Sequence, residues 1–504
     1  MSATDIQQLK DQVHENMQGA VTIVVLGASG DLAGKKTYPA IFSLLRNGLM
    51  PENVHITGYA RSKLDRNEYV KRITAHLKDA SEEQKNKFLE VTDYVSGQYD
   101  QDDSWKSLNE HLDKLEEKRG LKEGRRNRVF YMALPPSVFV TVARGLRKFV
   151  YTDKGHNRIV VEKPFGKDLE SSTELAKDLG ELFKEEEIYR IDHYLGKEMV
   201  KNILPLRFAN MILDPTFCNK TVDNVQITLK EPFGTEGRGG YFDEYNIIRD
   251  VMQNHLLQVM SLIAMDKPAG NDPESTRDAK VKLLRKVKPI DIKDTLLGQY
   301  VANGDKPGYK DDDTVPNDSV SPTFAALVLY VDNDRWRGVP FIMKAGKALD
   351  TAKVDVRLQF RDVEEGLFKQ AARNELVLRI QPGEAIYYKL NNKSPGLTYR
   401  QIVTDLDLTY KDRYKDMSIP DAYETLILDV MRSDHSNFVR DDELDAAWRI
   451  FTPLLHKIDR EKIQPKPYPY GSRGPQELDD FVTRYGFKRD TKAPYEWPVQ
   501  SVGK

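Results

Sequence analysis

The sequence predicts an α/β chain: a Rossmann-type doubly wound parallel sheet plus an α+β domain with a large, mainly antiparallel sheet. Three observations lead there. From Val21 onward, short apolar runs rich in β-branched residues alternate with helical stretches, the pattern of right-handed βαβ units. The first run opens directly into a glycine turn. In the second half, strand-like segments follow one another with few helices between them, which suits antiparallel pairing.

Val21-Thr22-Ile23-Val24-Val25-Leu26 reads as a buried parallel strand. A helix over about 31–46 follows the turn, then strands at 54–60, 94–97, 128–133 and 158–161 and a helix over 171–186. Residues 20–195 form the predicted dinucleotide-binding domain, after a flexible segment of residues 1–19. Residues 196–504 form the α+β domain. Its predicted strands are 222–229, 324–330, 354–360, 375–381 and 385–390, with helices near 247–265 and 441–458 covering one face. The tail from Pro465, rich in Pro, Tyr and Gly, reads as an ordered loop.

The charges nearly balance: 76 Lys+Arg against 78 Asp+Glu in 504 residues. That argues against nucleic-acid and membrane-surface partners, which need a basic excess. No stretch approaches the roughly 20 apolar residues of a membrane span, and the acidic start (Asp5, Asp11, Glu15) suits neither a signal nor a transit peptide. A single cysteine, Cys218, expected to be a small buried hydrophobe, permits no intrachain disulfide. These features fit a cytoplasmic protein without a cysteine-based metal cage, and no metal is expected.

The turn after the first strand reads Gly27-Ala28-Ser29-Gly30-Asp31-Leu32-Ala33-Gly34. Small residues three apart let the backbone approach a pyrophosphate, and the helix behind them points its N–H groups at it. A tight turn without a ligand is the alternative. A P-loop would need one more residue and a Ser or Thr where Lys36 stands. The second strand ends in Tyr59-Ala60-Arg61-Ser62 rather than in an acid, and Arg61 suits a 2′-phosphate, hence NADP, although exposed arginines at strand ends are common.

Two further runs carry chemistry. Glu162-Lys163-Pro164-Phe165-Gly166 closes a strand, where Lys163 can reach both a substrate and a nicotinamide. Arg190-Ile191-Asp192-His193-Tyr194-Leu195-Gly196-Lys197 sets acid, imidazole, phenol and lysine within six residues. Lys, His and Tyr donate to phosphate oxygens, which leaves the acid to orient a base.

The run from Asp192 to Lys197 resembles the signature of the glucose-6-phosphate dehydrogenases, in particular the eukaryotic type. The resemblance extends over 27–33, 59–62, 133–136, 162–166, 230–243, 247–255, 346–349 and 470–475. It implies oxidation of glucose 6-phosphate to the 1,5-lactone with NADP as cofactor, in a homodimer or homotetramer. It also implies that His255 is the general base and that Asp192, from the other domain, pairs with it. Asp250 and His255, five apart, sit about 140° apart on an ideal α-helix, so Asp250 is not expected to be that partner.

By the same resemblance Lys163, Glu231 and Asp250 would hold sugar hydroxyls. His193, Tyr194 and Lys197 would hold the phosphate, with Lys347 and Gln381 lining the pocket. Tyr131, the Ser29–Asp31 turn and Lys163 match cofactor contacts, and Pro164 matches a hinge-like proline. Ala352 departs from the pattern, standing where some members have a basic residue that touches substrate. A second, structural NADP, bound in some eukaryotic members, would meet Lys344, Lys353, Arg357, Arg379, Tyr387, Lys389, Asp407, Arg473 and Trp497. Two other readings are a sugar oxidoreductase of the glucose–fructose oxidoreductase type, which lacks this form of the Asp192–Lys197 run, and an NADPH sensor without catalysis.

Overall fold

The computed structural model describes residues 3–363, 368 and 371–489. Their contacts divide the chain into two compact bodies. The first comprises Met1–Ile203, Gln253–Arg285 and Asp416–Leu455; the second comprises Leu204–Met252, Lys286–Lys415 and His456–Lys504.

The first body holds a six-stranded parallel sheet: β1 (Ala20–Leu26), β2 (Asn53–Ala60), β3 (Thr92–Ser96), β4 (Arg128–Met132), β5 (Asn157–Glu162) and β6 (Ile188–Ile191). The order β3-β2-β1-β4-β5-β6 is that of a doubly wound sheet whose direction of winding reverses between β1 and β4. Every residue of β1, β4, β5 and β6 is buried, which is why the centres of β1, β4 and β5 read as apolar runs. β6 escaped the sequence reading because Ile188-Tyr189-Arg190-Ile191 is short and carries an arginine, which is 2% exposed and bonded to Glu185 at 2.7 Å.

Residues 1–19 were expected to be flexible. Instead Ala3–Met17 is a helix, with Val13 and Met17 in the core beside β1 and Ile6 and Leu9 packed against it. The spacing of these four residues is an amphipathic stripe. The helix after the glycine turn is interrupted by a π-wound stretch at Ala33–Thr37. The helix predicted over 171–186 runs only over Leu169–Gly180. Ala422–Met431 contributes Tyr423, Leu426, Ile427, Val430 and Met431 to the core around β1, although it lies far along the chain. Helices Leu257–Ala264 and, as far as Leu455, Asp441–Glu461 also belong to this body.

The second body carries a nine-stranded sheet: β7 (Val222–Lys230), β8 (Thr295–Val301), β9 (Phe324–Leu329), β10 (Phe341–Gly346), β11 (Lys353–Phe360), β12 (Glu375–Gln381), β13 (Ala385–Lys393), β14 (Gln401–Thr409) and β15 (Lys466–Pro469). The order is β14-β13-β12-β11-β7-β10-β9-β8-β15, antiparallel except for β10 with β7 and β15 with β8. The tail is thus a strand rather than a loop, followed by the helix Leu478–Arg484. Its prolines are tolerated because β15 is an edge strand. Cys218, expected to be buried, is only partly so, with its thiol 3.3 Å from the Pro215 carbonyl.

Candidate active site

The motifs of the first body all leave the carboxyl ends of parallel strands. The glycine turn follows β1, Arg61 follows β2, Lys163 follows β5 and Asp192 follows β6. In such sheets this edge, at the reversal point, is where ligands bind.

Beyond β6 the chain turns sharply, the Leu195 amide donating to the Asp192 carbonyl at 3.0 Å and the Lys197 amide to that of Tyr194 at 3.1 Å. Gly196 is required here, since a Cβ would lie 2.4 Å from the Ala422 carbonyl oxygen. The turn folds the Asp192 carboxylate back so that Oδ1 accepts from the Tyr194 amide at 2.9 Å and lies 2.5 Å from Nδ1 of His255. Asp192 is 2% and His255 3% exposed. Burial alone would raise the Asp192 carboxyl, but the charge and hydrogen bond of His255, then His193 and the Tyr194 amide, outweigh it and hold the group down at about 2. The other oxygen, Oδ2, is buried without a hydrogen-bond partner.

Aromatic rings fix the imidazole from two sides. Tyr194 stacks on His255 with centroids 4.3 Å apart and planes 18° apart, and His193 meets it edge-on at 4.5 Å. Burial and the neighbouring His255 push His193 well below its ordinary range, so His193 is neutral near pH 7 and has one N–H to offer. The cation of the run is Lys197, whose Nζ lies 4.9 Å from the Tyr194 ring centroid. Tyr423, from the Ala422–Met431 helix, lies nearly parallel to His193 at 5.9 Å; nothing in its own segment marked it beforehand.

By contacts His255 groups with Asp192 in the first body. It lies in a π-wound segment, Ile248–Leu256. In i→i+5 winding, residues five apart share a face, so the ideal-helix angle does not exclude Asp250. The direct contact identifies Asp192 as the partner.

Lys163 follows Glu162 at the end of β5, and Trp448 secures the turn by donating its Nε1–H to the Phe165 carbonyl at 3.0 Å. Glu162 is 4% exposed and accepts from the Tyr131 hydroxyl at 2.6 Å. Burial pushes Glu162 up to about 7, against the pull of Tyr131 and Lys163. Tyr131, expected at the cofactor, is itself 1% exposed and turned to this carboxyl group.

The residues present fit a dinucleotide. Gly27 has φ +79, and a Cβ there would lie 2.3 Å from the Ala133 carbonyl oxygen. The Gly30 amide closes the turn on the Gly27 carbonyl at 2.9 Å, and a helix starts at Asp31. Arg61 lies over the Tyr99 ring, Ser29 and Ser62 are joined through their hydroxyls at 3.2 Å, and Arg72 donates to the Ser29 carbonyl at 3.0 Å. Two guanidinium groups therefore border the turn, as a nucleotide phosphate requires. Arg72 sits in the last turn of the helix Arg66–Thr74, and only the fold brings it here.

In the second body Lys347 Nζ lies 2.5 Å from Glu231 and 3.9 Å from Asp250, above the Phe242 ring. The Tyr468 hydroxyl donates to the Lys347 carbonyl at 2.8 Å. Gln381 closes β12 opposite Val354. Of the residues expected at a second NADP, Lys353 pairs with Asp355 at 2.8 Å, Arg357 with Glu375 at 2.5 Å and Lys389 with Glu375 at 3.4 Å, while Lys344 bonds Gln226 at 2.7 Å. Burial lowers Lys344 to about 7, with Arg357, Lys353 and Lys230 adding to the fall and Asp355 opposing it. Arg379 and Asp355 are partners between β12 and β11, and Tyr387 and Asp407 between β13 and β14. Arg473 instead pairs with Asp479 at 3.0 Å, and Trp497 lies outside the described residues.

Two family models match the chain: the glucose-6-phosphate dehydrogenase NAD-binding domain over residues 24–202 and its C-terminal domain over residues 204–497. The chain belongs to the glucose-6-phosphate dehydrogenase family. It is 58% identical to glucose-6-phosphate 1-dehydrogenase of Emericella nidulans over 99% of this chain and 98% of that one. Against the enzyme of the same name from Saccharomyces cerevisiae it is 53% identical, over 95% of this chain and 96% of the other. A solved glucose-6-phosphate dehydrogenase in complex with its substrate, glucose 6-phosphate, superposes with a TM-score of 0.90 at 50% identity, over 93% of this chain and 98% of that one. The family has NADP as its cofactor, in keeping with the two arginines beside the turn.

A carboxyl group whose folded value lies near 7, against 4.5 in the unfolded chain, binds more protons folded than unfolded between those values, so stability falls as pH rises through that window. The loss is on the order of 3 kcal/mol at about 1.4 kcal/mol per unit. Glu162→Gln keeps an acceptor for Tyr131 and removes the ionisation. Thermal melts of the ligand-free proteins should show the variant gaining on the wild type between pH 5 and pH 8; parallel curves would refute the assignment.

Proposed function

We propose that this chain oxidises D-glucose 6-phosphate at C1 to 6-phospho-D-glucono-1,5-lactone, the first oxidative step of the pentose phosphate pathway, with His255 as general base oriented by Asp192. Family membership carries the reaction. The contact of Asp192 with Nδ1 of His255, inside a shell of Tyr194 and His193, is the single observation that carries the mechanism.

Oxidation of the hemiacetal removes the O1 proton while C1 gives up a hydride and the C1–O1 bond becomes a carbonyl. NADP, when bound, supplies the nicotinamide ring that accepts the hydride. With Nδ1 held by Asp192, Nε2 is the nitrogen that takes the O1 proton. The ionised carboxylate then stabilises the imidazolium across a water-poor contact. Lys163 positions the ring from the end of β5, and Lys197, Tyr194 and a neutral His193 donate to the phosphate. In the second body Glu231 and Asp250, each near Lys347, would accept from sugar hydroxyls, as the family resemblance implies, with Gln381 as a further candidate contact. The Gly27–Gly34 turn would hold the pyrophosphate, and Arg61 would meet the 2′-phosphate.

The cluster of Lys344, Lys353, Arg357 and Lys389 in the second body supports a second NADP there, because an anion would offset the charges of Arg357, Lys353 and Lys230 that add to the burial-driven fall of Lys344. Leu406, 68% exposed on the edge strand β14, and Leu397 and Tyr399 in the loop before it support a homodimer or homotetramer formed through this sheet. Among the described residues no helix is long and apolar enough to cross a membrane. A relative from Arabidopsis thaliana, 52% identical, is named as cytoplasmic, which supports the same location here.

His255→Asn should lower kcat by about 1,000-fold or more with KM for glucose 6-phosphate nearly unchanged, because the base is lost and the binding groups remain. Asp192→Asn should be milder. Turnover of wild-type speed in His255→Asn would remove it from the mechanism. Arg61→Ala should raise KM for NADP by about tenfold or more and leave that for NAD nearly unchanged; equal loss for both would reassign the 2′-phosphate. Calorimetry on desalted protein should show two NADP molecules per chain, falling to one in Arg357→Ala, whereas a single site in the wild type would exclude the second one.

A further inference from the structure

Asp192, His193 and His255 each offer a ligand atom within 4.8 Å of the others. Two imidazoles and a carboxylate are a donor set for a borderline divalent ion such as zinc, with a fourth position left open to water. An independent observation points the same way. Asp192 Oδ2 is buried in a residue only 2% exposed and has no hydrogen-bond partner among the described residues, and such an oxygen is costly to leave unmet. It belongs to the carboxylate whose Oδ1 already serves His255 and the Tyr194 amide. The same three side chains thus combine an unmet anionic oxygen with two imidazoles already held by stacking.

We propose that this cluster is an inhibitory zinc site: Zn2+ coordinates Asp192, His193 and His255 and blocks turnover by occupying the base. No electron transfer is involved. A bound proton or water is displaced from the three side chains, and a chelator restores the starting state. Zinc and glucose 6-phosphate would compete, since His193 and His255 are needed by both. The inhibition rests on the proposed role of His255, whereas the coordination does not.

Another histidine–carboxylate group in the first body is the natural control. His55 and His111 flank Asp93 at 3.2 and 2.7 Å, well away in sequence from β6, and no catalytic role is assigned to them.

The test uses the full chain, stripped with chelator and titrated with ZnCl2 in a non-coordinating buffer. Calorimetry without substrate or cofactor reads coordination, and NADPH formation reads inhibition. The expected result is one zinc per chain, inhibition competitive with glucose 6-phosphate and full recovery with EDTA. Binding should weaken more than about tenfold in His193→Gln and persist in His111→Gln. Asp192→Asn serves as a second ligand variant if His193→Gln does not fold, with circular dichroism checking both. Zinc binding absent from the wild type, unchanged in the ligand variants, or lost in His111→Gln instead would overturn the site. Stoichiometric binding at the cluster with undiminished turnover would overturn the inhibition. A protein that binds zinc there yet never reduces NADP would instead count against the dehydrogenase reading.

Discussion

A single buried anion governs the catalytic end of the first body. Asp192 has almost no contact with water, yet its carboxyl group is held at about 2 and so stays ionised at any physiological pH. An isolated charge in such a place is prohibitive unless paired and hydrogen-bonded. The Tyr194 amide and the His255 ring meet that requirement, and each needs its own device. The amide is delivered by the turn that only Gly196 permits. The ring is delivered from the π-wound segment and clamped by Tyr194 and His193. Removing any one of these would leave the charge unmet, so the geometry is fixed as a unit.

Glu162 shows how differently the same edge of the sheet can treat a carboxyl group. It ends β5 as Asp192 follows β6, but its principal partner is the Tyr131 phenol, and it rises to about 7. Two buried carboxyl groups on neighbouring strands are thereby pushed apart in acidity, one permanently charged and one neutral in mildly acidic conditions. Separation of that kind is a mark of active sites.

Much of this was legible in the residues. β1, β2, β4 and β5 announced themselves because strands buried on both faces must be apolar throughout, and the glycine turn because it directly follows one of them. The Asp192–Lys197 run stood out by chemistry rather than by periodicity. What could not be read depended on contacts distant in sequence. The partnership of Asp192 and His255, 63 residues apart, entered through family resemblance, and Arg72, Trp448 and Tyr423 carry no local signal at all. β10 was missed because Lys344 breaks a short apolar run, even though Gly338 and Pro340 mark a turn before it, β14 because charged residues break its apolar pattern, and β15 because prolines at a sheet edge look like loop. The N-terminal helix failed for the opposite reason, since its polar composition concealed a four-residue stripe.

The two bodies also constrain how the molecule can come into being. The chain leaves the first body after Ile203, returns at Gln253, leaves after Arg285 and returns at Asp416. The helix that fills the core around β1 and carries Tyr423 is therefore synthesised after most of the second body. A ribosome that has released the entire nucleotide-binding sheet has still not made the residues that close it. The nascent first body must wait, with apolar surface uncovered, for more than two hundred further residues, from 203 to 416.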